Sequence, residues 1–90
     1  MSTQPTVKMY TTRFCPYCIG ARLLLNRKRV PFTEINVSNN AELWAEMETL
    51  SGRDTVPQIF IGERAIGGYS DMAALDRSGE LDQLLGLTSC

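Results

Sequence analysis

The sequence predicts an α/β protein: a mixed four-stranded sheet with helices on both faces. Three observations lead there. The patterned segments follow the order β-α-β-α-β-β-α with a further short helix at the end. A strand joined to the next through a helix gives a parallel pair by a right-handed crossover. Two apolar runs on either side of Gly62-Glu63 give an antiparallel hairpin. Helices then cover both apolar faces of such a sheet. At 90 residues the chain is expected to form one domain over 1–90, with 1–5 and 88–90 as flexible tails.

The elements follow from local chemistry. Val7 to Thr11 reads as a buried strand that gives way to the polar Thr11-Thr12-Arg13 loop. From Pro16 the period becomes helical: Cys18, Ala21, Leu24, Leu25 and Lys28 share one face, and Arg22, Asn26 and Arg29 another. Proline suits a first helical position, where no donor is missed. Val30-Pro31 ends the helix, because a residue before proline avoids helical angles. Phe32 to Val37 is a second strand. Asn39 or Asn40 caps the next helix, with Glu42 placed for a capping box from Asn39, an apolar stripe of Leu43, Met47 and Leu50 beside Trp44, and Gly52 as the stop. Gln58 to Ile61 and Arg64 to Ile66 form the hairpin. Gly67-Gly68 breaks it before Ser70, a good N-cap for the helix carrying Met72, Ala73 and Leu75. After Gly79, Glu80 to Leu87 forms the last helix, with Leu81, Leu84 and Leu85 inward.

Composition narrows the function. A net charge of -1 gives no pull toward nucleic acid or acidic membranes. Arg27-Lys28-Arg29 reads as a solvated helix C-terminus, where cations complement the dipole. No segment approaches the ~20 apolar residues of a membrane span, and Met1 to Pro5 lacks the charged start of a signal peptide. A cytoplasmic protein is expected. Three cysteines cannot build a disulfide framework, so one working pair in a reducing compartment fits better.

That pair is Cys15-Pro16-Tyr17-Cys18, placed where a strand hands over to a helix. With Cys18 in the first turn, the Cys15 sulfur sits at the helix N-terminus, where free N–H groups and the dipole favour an anion. The thiolate is the reactive form of cysteine. The same spacing also fits half a zinc site, but zinc takes four ligands; the chain has no histidine, and its only other thiol is Cys90, so no metal is expected. The two cysteines should differ: Cys15 as the exposed attacker, Cys18 shielded on the core side of the helix.

Together with Thr55-Val56-Pro57, Gly67-Gly68 and Ser70-Asp71, this motif resembles the glutaredoxin family, in particular the small bacterial dithiol type, over Val7 to Leu85. The resemblance implies a thioredoxin-like fold, a cis Val56-Pro57 peptide and a glutathione-dependent thiol–disulfide oxidoreductase. Cys15 would be the nucleophile and Cys18 the resolving thiol, the two forming the redox-active disulfide. Glutathione is the implied co-substrate: its cysteine pairs with the Val56 backbone, Thr55 and Tyr17 border the groove, and Gly68, Ser70 and Asp71 take the γ-glutamyl end. Helix capping explains Ser70 and Asp71 equally well, and Tyr17 also reads as a surface aromatic.

One position departs from the family. Thr12 stands where many members carry lysine, so Arg13, Arg53 and Gln58 become candidates for the glycine carboxylate of glutathione; Arg53 and Gln58 also read as solvated surface residues. Implied partners are disulfide-containing or glutathionylated proteins, ribonucleotide reductase among them, approached by a monomer. Two other readings stand beside this one: a redoxin reduced by thioredoxin reductase, and a carrier of a glutathione-ligated [2Fe–2S] cluster, against which Pro16 argues.

Overall fold

Strand β1 (Val7–Thr11) is the strand around which the sheet is assembled. It pairs in parallel with β2 (Thr33–Asn36) and antiparallel with β3 (Gln58–Ile61), which pairs antiparallel with β4 (Arg64–Gly67); the order is β2-β1-β3-β4. The structure, a computed structural model, describes residues 5–87, so Cys90 and most of the expected tails lie outside it. Helices α1 (Pro16–Arg27), α2 (Ala41–Ser51), α3 (Tyr69–Ser78) and α4 (Glu80–Leu84) complete the fold. The mixed four-stranded sheet and the helix order are those the sequence predicts.

Each side of the sheet has its own core. Val7, Met9, Ile59 and Ile61 meet Ala21, Leu24 and Leu25 of α1, Met72 of α3 and Leu81 of α4. Tyr10 and Phe60 turn the other way, toward Met47 of α2 and Val37, with Trp44 and Val56 against them. The alternation of strand side chains between two faces accounts for the division. The Tyr10 and Phe60 rings meet edge to face, with centroids 5.7 Å apart.

Several boundaries differ from expectation, each for a visible reason. Strand β2 is shorter than Phe32 to Val37 because β1 offers partners only from Lys8, opposite Thr33, to Thr11, opposite Asn36. Helix α1 stops before Val30: Arg29 adopts φ 59°, its N–H bonds Asn26 O, and the Val30 N–H reaches back to Leu25 O, a Schellman closure. Helix α4 ends the same way, at Leu84 instead of Leu87, with Gly86 at φ 73° and Leu87 N–H on Asp82 O. Asn40 caps α2 by accepting Leu43 N–H at 3.0 Å. Asn39 lies at φ 57°, before the helix, so Glu42 is one place too early for a capping box. Leu50 is exposed, not part of the apolar stripe. Lys28 is no solvated cation: its ammonium lies 2.6 Å from Asp76 and 2.7 Å from Asp82, tying the end of α1 to α3 and α4.

Candidate active site

Three segments distant in sequence meet at one end of the sheet, and the strand directions require it. Because β3 runs against β1, with Tyr10 opposite Gln58, the residues preceding β3 lie beside those following β1. Because β4 runs against β3, with Ile59 opposite Gly67, it ends at that same edge. The Cys15 loop, the Val56-Pro57 segment and the start of α3 are thereby neighbours.

Cys15 is the N-cap of α1, extended at φ -137° and ψ 103°, with Pro16 as the first helical residue. Its sulfur accepts the Cys18 N–H at 3.1 Å, a bond that supports negative charge on sulfur. The thiol can also donate to Val56 O at 3.8 Å. Contrary to expectation, Cys15 is only 9% exposed. A cap residue turned toward its own helix, beneath the Val56 carbonyl, is covered on two sides; it is the flanking Phe14 and Tyr17 that are exposed.

Cys18 is fully buried on the core side of α1. Burial pushes its thiol up to about 12, its hydrogen bond with Cys15 acts in the same direction, and a backbone hydrogen bond from Thr12 and the charge of Arg22 oppose them. Cys18 is therefore a neutral thiol at physiological pH. The Arg22 guanidinium is fixed by two bonds of 2.7 Å to the Glu34 carboxylate, which also accepts the Thr11 hydroxyl at 3.1 Å.

Beside the dithiol lies a cavity of ≈ 420 Å³ bordered by Tyr17, by Arg53 and Thr55 to Pro57, and by Gly68 to Asp71. The Val56-Pro57 peptide is cis. The Asp71 carboxyl is lowered from its ordinary value, first by the Gly68 N–H at 3.0 Å and then by Arg53, whose Nη1 lies 2.8 Å from its Oδ2. This moves the helix start: Gly68, not Ser70, is the N-cap of α3, because Asp71 in the first turn reaches back to it. Gly67, at φ 113°, is needed there, since a Cβ would fall 2.5 Å from Asp71 Oδ2.

The structure thus gathers Tyr17, Arg53, Thr55, Val56, Pro57, Gly68, Ser70 and Asp71 around one cavity. Thr12, Arg13 and Gln58 are not on its walls. Arg13 is exposed, and its N–H bonds Ser38 Oγ at 2.8 Å. Gln58, read either as a glycine-carboxylate ligand or as a surface residue, is buried, and its Nε2 donates to Thr55 O at 2.8 Å, bracing the loop before the cis peptide. Tyr69, a cavity residue, went unnoticed in the sequence; its place between Gly68 and Ser70, both candidates, was the available signal.

A thiol at a helix N-cap, a buried second thiol one turn on, and a cis-proline loop across from them, on a thioredoxin-like fold, define a thiol–disulfide oxidoreductase. Comparison with known proteins carries this further. The glutaredoxin family model matches residues 7–66, and the chain belongs to the glutaredoxin family. It is 53% identical over 81 residues to a glutaredoxin of Pseudomonas aeruginosa, covering 90% of this chain and 96% of that one. Over 79 residues it is 51% identical to glutaredoxin 3 of Escherichia coli, covering 88% and 95% of the two chains. The solution structure of a glutaredoxin from Brucella melitensis superposes with a TM-score of 0.84 at 46% identity, covering 99% of this chain and 97% of that one.

Proposed function

We propose that the protein reduces glutathione mixed disulfides and protein disulfides with glutathione as electron donor, Cys15 as nucleophile and Cys18 as resolving thiol. The observation that carries this reading is the cavity itself: a peptide-sized space whose walls combine Val56, beside the Cys15 sulfur, with an anion-accepting helix start twelve or more residues further along the chain, at Gly68 to Asp71.

In this reading the Cys15 thiolate attacks the glutathionyl sulfur of a mixed disulfide. The Cys15–S–glutathione bond forms as the substrate's bond breaks, and the departing thiolate takes a proton from solvent. A second glutathione thiolate attacks the same glutathionyl sulfur, releasing oxidised glutathione and restoring the Cys15 thiolate. The hydrogen bond from Cys18 N–H favours that departure, since a stabilised thiolate leaves readily. With a protein disulfide, Cys15 forms the first mixed disulfide and Cys18, deprotonated as it attacks, closes the Cys15–Cys18 bond and frees the reduced protein. Two glutathiones then reduce it.

The backbone N–H groups that open α3 have no carbonyl one turn earlier to bond, and would receive the γ-glutamyl carboxylate. Asp71 would take the ammonium. Arg53 serves this end of the groove in our reading, not the glycine end its sequence position suggested, because it is already drawn to Asp71.

Two variants test the roles. Cys15→Ser should abolish turnover of both a glutathionylated peptide and a protein disulfide, whereas Cys18→Ser should lose only the second. Robust deglutathionylation by Cys15→Ser would sink the assignment. Running both reactions with thioredoxin reductase in place of glutathione separates the two electron sources; faster turnover with the reductase would replace this reading.

A further inference from the structure

We infer that Gly20 and Tyr69 act as one steric unit that sets the room in the glutathione groove, Gly20 being a positioning residue that acts through the Tyr69 ring. The inference rests on the function proposed above. Tyr69 opens α3 and borders the cavity beside the dithiol, while Gly20 lies in α1, two residues beyond Cys18. A Cβ on Gly20 would stand 3.1 Å from Tyr69 Cε1, 3.3 Å from Cζ and 3.4 Å from Cδ1. Carbon atoms rest comfortably at about 3.5–4.0 Å. The ring therefore lies flush on the one surface of α1 that lacks a side chain.

The location of this contact gives it a functional consequence. Tyr69 borders two spaces: the groove of ≈ 420 Å³ and an open cleft of ≈ 570 Å³ that continues along α1 past Leu23 and Arg27. Tyr69 thus stands between them, with its ring on Gly20 and its backbone pinned by the Asp71–Gly68 cap two residues on. A side chain on Gly20 cannot move the start of α3 cheaply, so it must turn the ring, and the turn alters the groove. Glycine in a helix interior is otherwise disfavoured relative to alanine; the ring supplies a reason for it here. Because α1 carries the nucleophile and α3 the γ-glutamyl cradle, the thickness of this contact also sets how far apart the two ends of bound glutathione are held.

The test is a double-mutant cycle read as KM against kcat for a glutathionylated peptide, with alkylation of Cys15 by iodoacetamide reporting thiol reactivity apart from the groove. Gly20→Ala should raise KM about fivefold, the scale of a modest overpacking cost, and leave the alkylation rate within about twofold, as a change confined to the groove requires. In a Tyr69→Ala background, Gly20→Ala should have no further effect on KM; combined with Tyr69→Phe, which keeps the ring, its effect should persist. Unchanged KM in folded Gly20→Ala, or an equal rise in the Tyr69→Ala background, overturns the inference. Should Gly20→Ala alone not fold, the double variant with Tyr69→Ala must fold and turn over, and its failure to fold counts against the steric unit. Loss of glutathione-dependent turnover in the unmodified protein would instead overturn the proposed function, which distinguishes the two failures.

Discussion

Asp71 shows how one carboxylate can serve a helix start and a cavity wall together. Its Oδ2 accepts both the Gly68 N–H and Arg53, and the absence of a Cβ on Gly67 leaves it room. Asp71→Asn keeps an amide oxygen for the Gly68 N–H but loses the negative charge at the helix start, so it should lower stability at pH 7 by about 0.3–1 kcal/mol, with little of this from the exposed Arg53 pair. The carboxyl is depressed in the folded state, so its contribution is complete above the unfolded value of about 3.9 and is lost as pH falls through the lower folded one. Urea midpoints of the two proteins should therefore differ by a constant amount from neutral pH down to about 5 and converge in stronger acid; a difference that survives protonation would exclude this account. Much at this scale was legible in advance. Cys18 sits on the apolar face of a readable helix, so its shielding follows from spacing. The burial of Cys15 does not, because what covers it is Val56, 41 residues away in the chain. Gln58 is a similar case, a polar residue whose bracing of Thr55 depends on how the loop folds back.

Among the elements, the helix starts and strand cores could be read from periodicity, whereas the ends could not. A strand ends where its partner does, as β2 does against β1, and a helix ends where a backbone closure forms, as at Arg29. The clamp at the end of α1 belongs to this scale. Lys28 reads locally as one of three cations in a run, and only the packing of α3 and α4 brings Asp76 and Asp82 to it. Both carboxylates raise the Lys28 ammonium above its usual range. The contribution is thus complete below the unfolded lysine value, about 10.4, and is lost as pH rises through the higher folded value. Lys28→Met should cost about 1–2 kcal/mol at pH 7, between an exposed and a buried pair, since it leaves two carboxylates facing each other. The penalty should stay flat from pH 6 to about 9 in urea unfolding. A cost below about 0.3 kcal/mol would mean that the clamp is an ordinary surface pair.

For the whole molecule, the groove lies where the two cores meet, and each core holds one wall. Val56 packs with Tyr10, Met47 and Phe60 on one face of the sheet, while the start of α3 is fastened from the other face by Met72, three residues past Tyr69. Groove geometry should therefore depend on where stability is lost and not only on how much. Met72→Ala and Leu81→Ala compare the two cases: both side chains are fully buried in the same core, but Leu81 belongs to α4, which contributes nothing to the cavity. Each should cost about 2–5 kcal/mol, lowering Tm by about 4–8 °C per kcal/mol in a domain of this size. At a temperature where both variants remain folded, Met72→Ala should raise KM for a glutathionylated peptide severalfold, because the α3 wall loses its anchor, and Leu81→Ala should leave KM near that of the unmodified protein. If KM rises equally in both variants, or follows Tm alone, the α3 wall is held by the fold as a whole and not by the packing directly behind it.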